Sequence, residues 1–204
     1  MSKKVQFGIK DVTVWPITEG VDSQTQEPTL TFGTKITVPG TTKLTLDSDA
    51  SDATIFYADD IAYYITPGKN NGRTGSIDNA FIPEDVMTNL MDFVEDANGN
   101  LVELVNSSTK YFAMAFSKET NDGDIRFIYY KCAFGKLPVS GDTTTDSATP
   151  ETTTVNIKIV PPTKQYTIGG VKQPVLGIRT GENTSSASYN DWFTTPQEPG
   201  EANG

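Results

Sequence analysis

The sequence predicts a mainly β protein, a sandwich or barrel with one helix packed on a sheet. Short runs rich in Thr, Val, Ile, Tyr and Phe recur from residue 5 to about residue 160, and β-branched and aromatic side chains fit a pleated, half-buried surface. Gly, Pro, Asn and Asp fall between those runs, giving the short strands and frequent turns of sandwiches and barrels. One segment, Ile82 to Val94, has the apolar spacing of a helix instead.

In the first third, Val5, Phe7 and Ile9 alternate with Gln6 and Gly8, and Val12 and Val14 continue in the opposite phase up to Trp15-Pro16. The run Leu30 to Val38 alternates next and stops at Pro39-Gly40. Leu44 and Leu46 extend it until the acidic stretch Asp47 to Asp52 breaks it. Thr54 to Ala58 resumes, and Ala62 to Ile65 follows Asp59-Asp60. Asn71-Gly72, inside the glycine-rich, basic stretch Gly68 to Gly75, reads as the tip of a long loop over about residues 47–80.

Pro83 at a first helical position, with Glu84 and Asp85 in the first turn, opens a helix over about residues 83–95, because acids there complement the helix dipole. Val86, Leu90, Phe93 and Val94 form its apolar stripe, and Asp96 to Asn100 ends it. Leu101 to Val105 begins a strand across that Asn-Gly turn. Tyr111 to Phe116 and Ile125 to Tyr130 flank Asn121-Asp122-Gly123-Asp124, a strong hairpin signal, and Lys131 to Phe134 prolongs the second strand. Asp142 to Thr154 is built from Thr, Asp, Ser, Pro and Glu and cannot bury a core of its own, so it reads as a loop. Val155 to Val160 alternates and closes the sheet. Residues 1–160 therefore form the core with its N-terminal segment. Tyr166 to Ile168 and Val175 to Ile178 each read as a strand in a C-terminal arm over residues 161–182, and residues 183–204 read as a polar tail, either flexible or an ordered decoration.

Composition narrows the function classes. Acids outnumber bases 26 to 16, a net charge of −10, the wrong sign for a protein that wraps a nucleic acid. The chain has no histidine, which removes the commonest general base, the commonest metal ligand and every His-containing triad. A single cysteine, Cys132, excludes an intramolecular disulfide framework and any CxxC site; it sits in a strong strand and reads as a structural, half-buried thiol. The N-terminus lacks the apolar h-region of a signal peptide, and no window approaches the ~18 apolar residues of a membrane span. The expectation is a soluble protein folded in a reducing cytosol.

The remaining motifs favour bland readings. Asp47 to Asp52 begins like a calcium loop, but Asp52 and Ala58 stand where such a loop needs its Gly and its bidentate Glu. Gly68 to Gly75 lacks the GxxxxGK[ST] order of a phosphate loop and reads either as a mobile surface loop or as an interaction loop. Asp59 and Asp60, adjacent on an extended chain, point to opposite faces and cannot easily share a substrate. Glu84 and Asp85 are explained by the helix start. No catalytic, cofactor-binding or metal-ligating residue is expected, and the chain does not read as an enzyme.

One resemblance spans about residues 5–160. The strand Phe7 to Val12 comes first, then a strand ending Tyr57-Ala58-Asp59-Asp60, then the helix opened by Ile82-Pro83-Glu84-Asp85. Asp96-Ala97-Asn98-Gly99, Tyr111 to Phe116 and Tyr129 to Lys136 follow, and Thr152 to Ile159 ends the series. In this order the sequence resembles the major tail protein, the tail tube subunit, of long-tailed, siphovirus-type bacteriophages. The resemblance implies a β-sandwich or half-barrel with a flanking helix, related in fold to the tube protein of type VI secretion systems. It implies hexameric rings that stack into a hollow tube for DNA delivery, with contacts through the N-terminal segment of residues 1–11, a long hairpin loop over about 47–80 and a C-terminal arm over about 161–182. The subunit-interface candidates are Asp47, Asp49, Asp52, Lys69, Asn70, Asn71 and Arg73, and Asp59 and Asp60 are candidates for an acidic lumen wall. Implied partners are further copies of the chain, the tape measure, tail terminator and distal tail proteins, and DNA passing without specific binding, with no membrane and no cofactor. The implied location is the virion tail, assembled in the host cytoplasm. On this reading, deleting Asn70 to Gly75 leaves a folded monomer that no longer stacks.

The acidic composition suits a conduit for DNA, since a like-charged wall repels the polyanion. The competing reading is a β-sandwich binding module, a carbohydrate-binding or adhesion domain on a virion or cell surface, with Trp15, Tyr63, Tyr64 and Trp192 as its stacking platform.

Overall fold

The computed structural model describes residues 5–105, 108–141 and 150–200. Residues 142–149 of the expected linker, and the ends of the N-terminal segment and of the polar tail, lie outside the described residues. Strands take up 52% of the structure and helices 6%, so the fold is mainly β, and every strand pair is antiparallel.

Strand β1 (Gln6–Val21) runs through the phase change read in the sequence. Asp11 adopts φ 57°, and the pairing register slips between Lys10 and Thr13. This bulge inserts the extra residue that moves Val12 and Val14 onto the inner face. The run Leu30 to Val38 is two strands, β2 (Pro28–Phe32) and β3 (Ile36–Thr37), both laid on the same edge of β1. Strand β4 (Thr41–Ala50) follows the Pro39-Gly40 turn and continues through Asp47 and Asp49, so the acids do not break it. They alternate outward while Leu44 and Leu46 pack inward, which a strand of period two allows.

The largest correction concerns residues 47–80. The two strand runs read there do form a hairpin, β5 (Thr54–Ala58) and β6 (Ile61–Thr66), but the stretches on either side are not loop: they are the rest of β4 and strand β7 (Asn70–Asn79). Asn71-Gly72 is no loop tip; it lies within β7, between β4 and the strand that precedes the C-terminal segment. The glycines there serve close backbone approach rather than a turn. A Cβ on Gly75 would sit 1.8 Å from the carbonyl oxygen of Thr45, so only glycine fits.

Helix α1 (Glu84–Leu90) begins one residue after Pro83, which occupies the N-cap position. It is shorter than expected. Thr88 and Asn89 turn their side chains back onto the carbonyls of Glu84 and Asp85, a local competition that weakens helix, and Met91 is already extended. Phe93 and Val94 belong to β8 (Phe93–Glu95), paired with β9 (Leu101–Glu103). The Asp96 carboxylate accepts the backbone N–H groups of Asn98 and Asn100 and closes the turn. The helix still buries Val86 and Leu90, each worth about 1.5–3 kcal/mol, and seven residues would not hold as a helix without that packing.

Strands β10 (Phe112–Thr120) and β11 (Ile125–Phe134) form the expected hairpin, and β12 (Thr153–Ile159) follows. The main sheet runs β2-β1-β10-β11-β12-β7-β4, so β12 is interior and β4, not β12, is the last strand. The sheet curls enough to bring β4 back against β1. Its inner face carries one core, including Val12, Val14, Phe112, Met114, Phe116, Ile157 and Ile159, capped by α1.

The outer face is buried too. Strands β13 (Gln165–Ile168) and β14 (Val171–Pro174) make a small hairpin, and β15 (Gly177–Arg179) joins the main sheet beside β11. Helix α2 (Ser186–Asn190) then brings Trp192 onto Trp15, Ala113, Ala115, Ile128 and Tyr130. Trp192 is 2% exposed and its indole N–H donates to the Phe127 carbonyl at 3.2 Å. The segment read as a polar tail is therefore, up to Gly200, a cover for a second core. One tryptophan anchors it.

Candidate functional site

The β5–β6 hairpin differs from everything around it. Its seven large apolar side chains, Ile55, Phe56, Tyr57, Ile61, Tyr63, Tyr64 and Ile65, are all exposed, Tyr63 at 75%. Because successive strand residues point to opposite sides, both faces of the hairpin are apolar and bare. Among the described residues the two strands pair only with each other. An isolated two-stranded ribbon is marginal in water at best, and a contiguous exposed apolar patch marks an interaction surface.

The hairpin stands on a defined neck. The Ser51 N–H donates to the Lys69 carbonyl at 2.9 Å, and the Lys69 N–H donates to Ser51 Oγ at 2.8 Å. Its tip is the pair Asp59-Asp60, both in the left-handed region at φ 52° and 62°. Two consecutive positive φ angles make the tight hairpin turn that Asp tolerates. The acids do not lie back to back on a strand, as the sequence reading had them; they sit together at the apex.

The interface candidates fall around the neck but not in one patch. The register places Arg73 opposite Ser48 and on the same side as Leu46 and Ile77, facing the inner core. Asp47 and Asp49 face outward, where Asp49 lies 4.0 Å from Lys158. Asp52, Lys69, Asn70 and Asn71 are exposed at the neck. Of the four aromatic residues read as a stacking platform, Tyr63 and Tyr64 are exposed, whereas Trp15 and Trp192 are core. Burying both tryptophans on the outer face of the sheet removes half of that platform.

Cys132 is fully buried, not half-buried, and burial pushes its thiol well above the ordinary range. The protonated thiol is a poor nucleophile. Among the described residues, no group of three or more His, Cys, Asp or Glu is placed to hold a metal ion, and no helix is long and apolar enough to cross a membrane. The sequence reading missed that the two Asp form a hairpin apex. The signal was present: two aromatic-rich runs separated by two Asp is hairpin spacing.

No known family model matches the sequence, and no curated protein is significantly similar to it.

Proposed function

We propose that the protein is a structural subunit that assembles with copies of itself into hexameric rings, and that the rings stack into the hollow tail tube through which a long-tailed phage delivers its DNA. The single observation that carries this reading is the β5–β6 hairpin, which exposes seven large apolar side chains on two faces and has no partner strand beyond itself among the described residues. Such a ribbon is completed when neighbouring chains cover it. The curled sheet adds a second reason. β4 approaches β1, but no ladder joins them, which leaves open strand edges at a seam where another subunit can add. The net charge of −10 fits a conduit that DNA passes without sticking, and the tail-tube fold, the virion location and the contacts with other tail proteins belong to this same proposal.

Negative-stain electron microscopy of the purified protein over a concentration series, beside light scattering, tests it. Rings or hollow tubes are the expected result. A particle that remains monomeric to high concentration and binds an immobilised glycan through Tyr63 and Tyr64 would replace it with the binding-module reading.

A further inference from the structure

A cavity of about 480 Å³ opens at the seam between β1 and β4. Its floor is apolar, with Ile9, Leu46 and Phe127 among the lining residues, and Phe127 is stacked on Phe116 at 5.1 Å. Lys43, Arg73 and Lys118 are its cationic lining residues. Among the described residues no acid lines it, although acids outnumber bases 26 to 16 in the chain. Lys43 and Lys118 make no ion pair among the described residues. Arg73 lies over the Tyr129 ring at 5.8 Å, and its Nε is buried with no hydrogen-bond acceptor among the described residues. The rest of the guanidinium interacts with Tyr129, but a buried Nε–H without an acceptor is costly, and an anion carried on an apolar stem suits such a socket.

The chain itself presents that ligand. At the hairpin apex, Asp59 and Asp60 stand on Tyr57 and Ile61, both more than 60% exposed. The apex is only two residues wide, and a strand of five residues holds it roughly 17 Å beyond the neck. Since the flanking side chains remain exposed and, among the described residues, the hairpin strands pair only with each other, a chain does not fill its own socket.

We infer that the Asp59-Asp60 apex of one subunit docks into the Lys43/Arg73/Lys118 socket between β1 and β4 of a second copy. This rests on the self-assembly reading above and assigns the two acids to a subunit contact instead of a lumen wall. The carboxylates meet the cationic side chains, Tyr57 and Ile61 follow onto the apolar floor, and opposite charges set the register of approach. The apex and the socket are different surfaces, so the contact is heterologous: it propagates from copy to copy and closes as a ring or continues as a filament.

A charge-swap mixing experiment tests the contact. Variant one carries Asp59→Lys and Asp60→Lys, and variant two carries Lys43→Glu and Lys118→Glu. Each alone places like charges in the contact, and sedimentation velocity should show association weakened about tenfold or more. Mixed in equal amounts, the Lys apex of variant one meets the Glu socket of variant two, and the native Asp apex of variant two meets the native Lys socket of variant one. Association should return in the mixture. Asp59→Asn with Asp60→Asn, which tolerates the left-handed turn, should weaken assembly while preserving the circular dichroism of the native fold. The inference is overturned if either charge-swapped variant assembles like the unmodified protein, or if the mixture remains as dissociated as its components. Recovery in the mixture as open filaments without a lumen, seen by electron microscopy, would uphold this contact and reject the tail tube.

Discussion

Two hairpins of this chain share a composition and have opposite fates. β10–β11 and β5–β6 are both antiparallel, aromatic-rich and closed by Asp-containing turns. In β10, Phe112 to Ser117 are buried without interruption, because the inner core takes Phe112, Met114 and Phe116 while the outer core takes Ala113 and Ala115. In β6, all six residues are exposed. Strand propensity is a property of the local sequence, but burial depends on what the rest of the chain supplies. β10 lies between β1 and β11 and is covered on both faces, on the inner one by α1, which precedes it, and on the outer one by the later segment that carries Trp192. Among the described residues the chain supplies no such layers for β5–β6, and on this account a neighbouring copy does.

The sharpest break of that contrast is a pair of deletions. Removing Asn70 to Gly75 takes out more than half of the ten-residue β7, which pairs with both β4 and β12, and should abolish cooperative unfolding and give insoluble protein. The opposite expectation, a folded monomer, holds for the hairpin instead. Replacing Asp52 to Gly68 with an Asn-Gly turn should leave the near-ultraviolet circular dichroism and the urea midpoint close to those of the intact protein while rings disappear. Next in size is Trp192→Ala, which opens the outer core and should cost about 3–5 kcal/mol in urea unfolding. A loss under about 1 kcal/mol would show that the C-terminal segment is not integral to the body.

Surface changes on the hairpin should behave in the reverse way. Tyr63→Ser with Tyr64→Ser should shift the stability of the isolated subunit by no more than about 0.5 kcal/mol, while raising the concentration at which light scattering detects assembly. The last effect concerns pH. Burial pushes the Glu19 carboxyl up, but its hydrogen bonds from Lys131 and from the N–H and hydroxyl of Thr163 outweigh burial and hold it below the ordinary carboxylate range. With the folded-state value depressed, this contribution is present above the unfolded-state value and is lost as pH falls through the folded one. Glu19→Gln should therefore lower stability at neutral pH by about 1–2 kcal/mol and flatten the acid side of the stability profile.

Much of the sheet was legible because its residues alternate or cluster by type. The phase change in β1, the β10–β11 hairpin and the period of β12 could all be read directly. β7 could not, since Arg73, Gly75, Ile77 and Asn79 share its inner face and only one of them is apolar. Its glycines are there for close packing, yet in a sequence they look like a turn. The helix end was hidden because Phe93 and Val94 fit a helical stripe and a β8 strand equally well, and the Asp96 turn decided between them. The C-terminal cover depends on one tryptophan in a polar stretch, too sparse for any periodicity. For the candidate site, the apolar runs flanking Asp59-Asp60 were visible, but the charge of the socket was not, because Lys43, Arg73 and Lys118 are brought together only by the curl of the sheet.

The central claim, that the hairpin is completed by another copy of the chain, is tested most directly by amide hydrogen exchange measured at several protein concentrations. Residues 54–66 should exchange rapidly in dilute protein and become protected as the concentration rises, while residues 112–134 remain protected throughout. Hairpin amides protected equally at every dilution, or left unprotected in concentrated protein, would contradict the account.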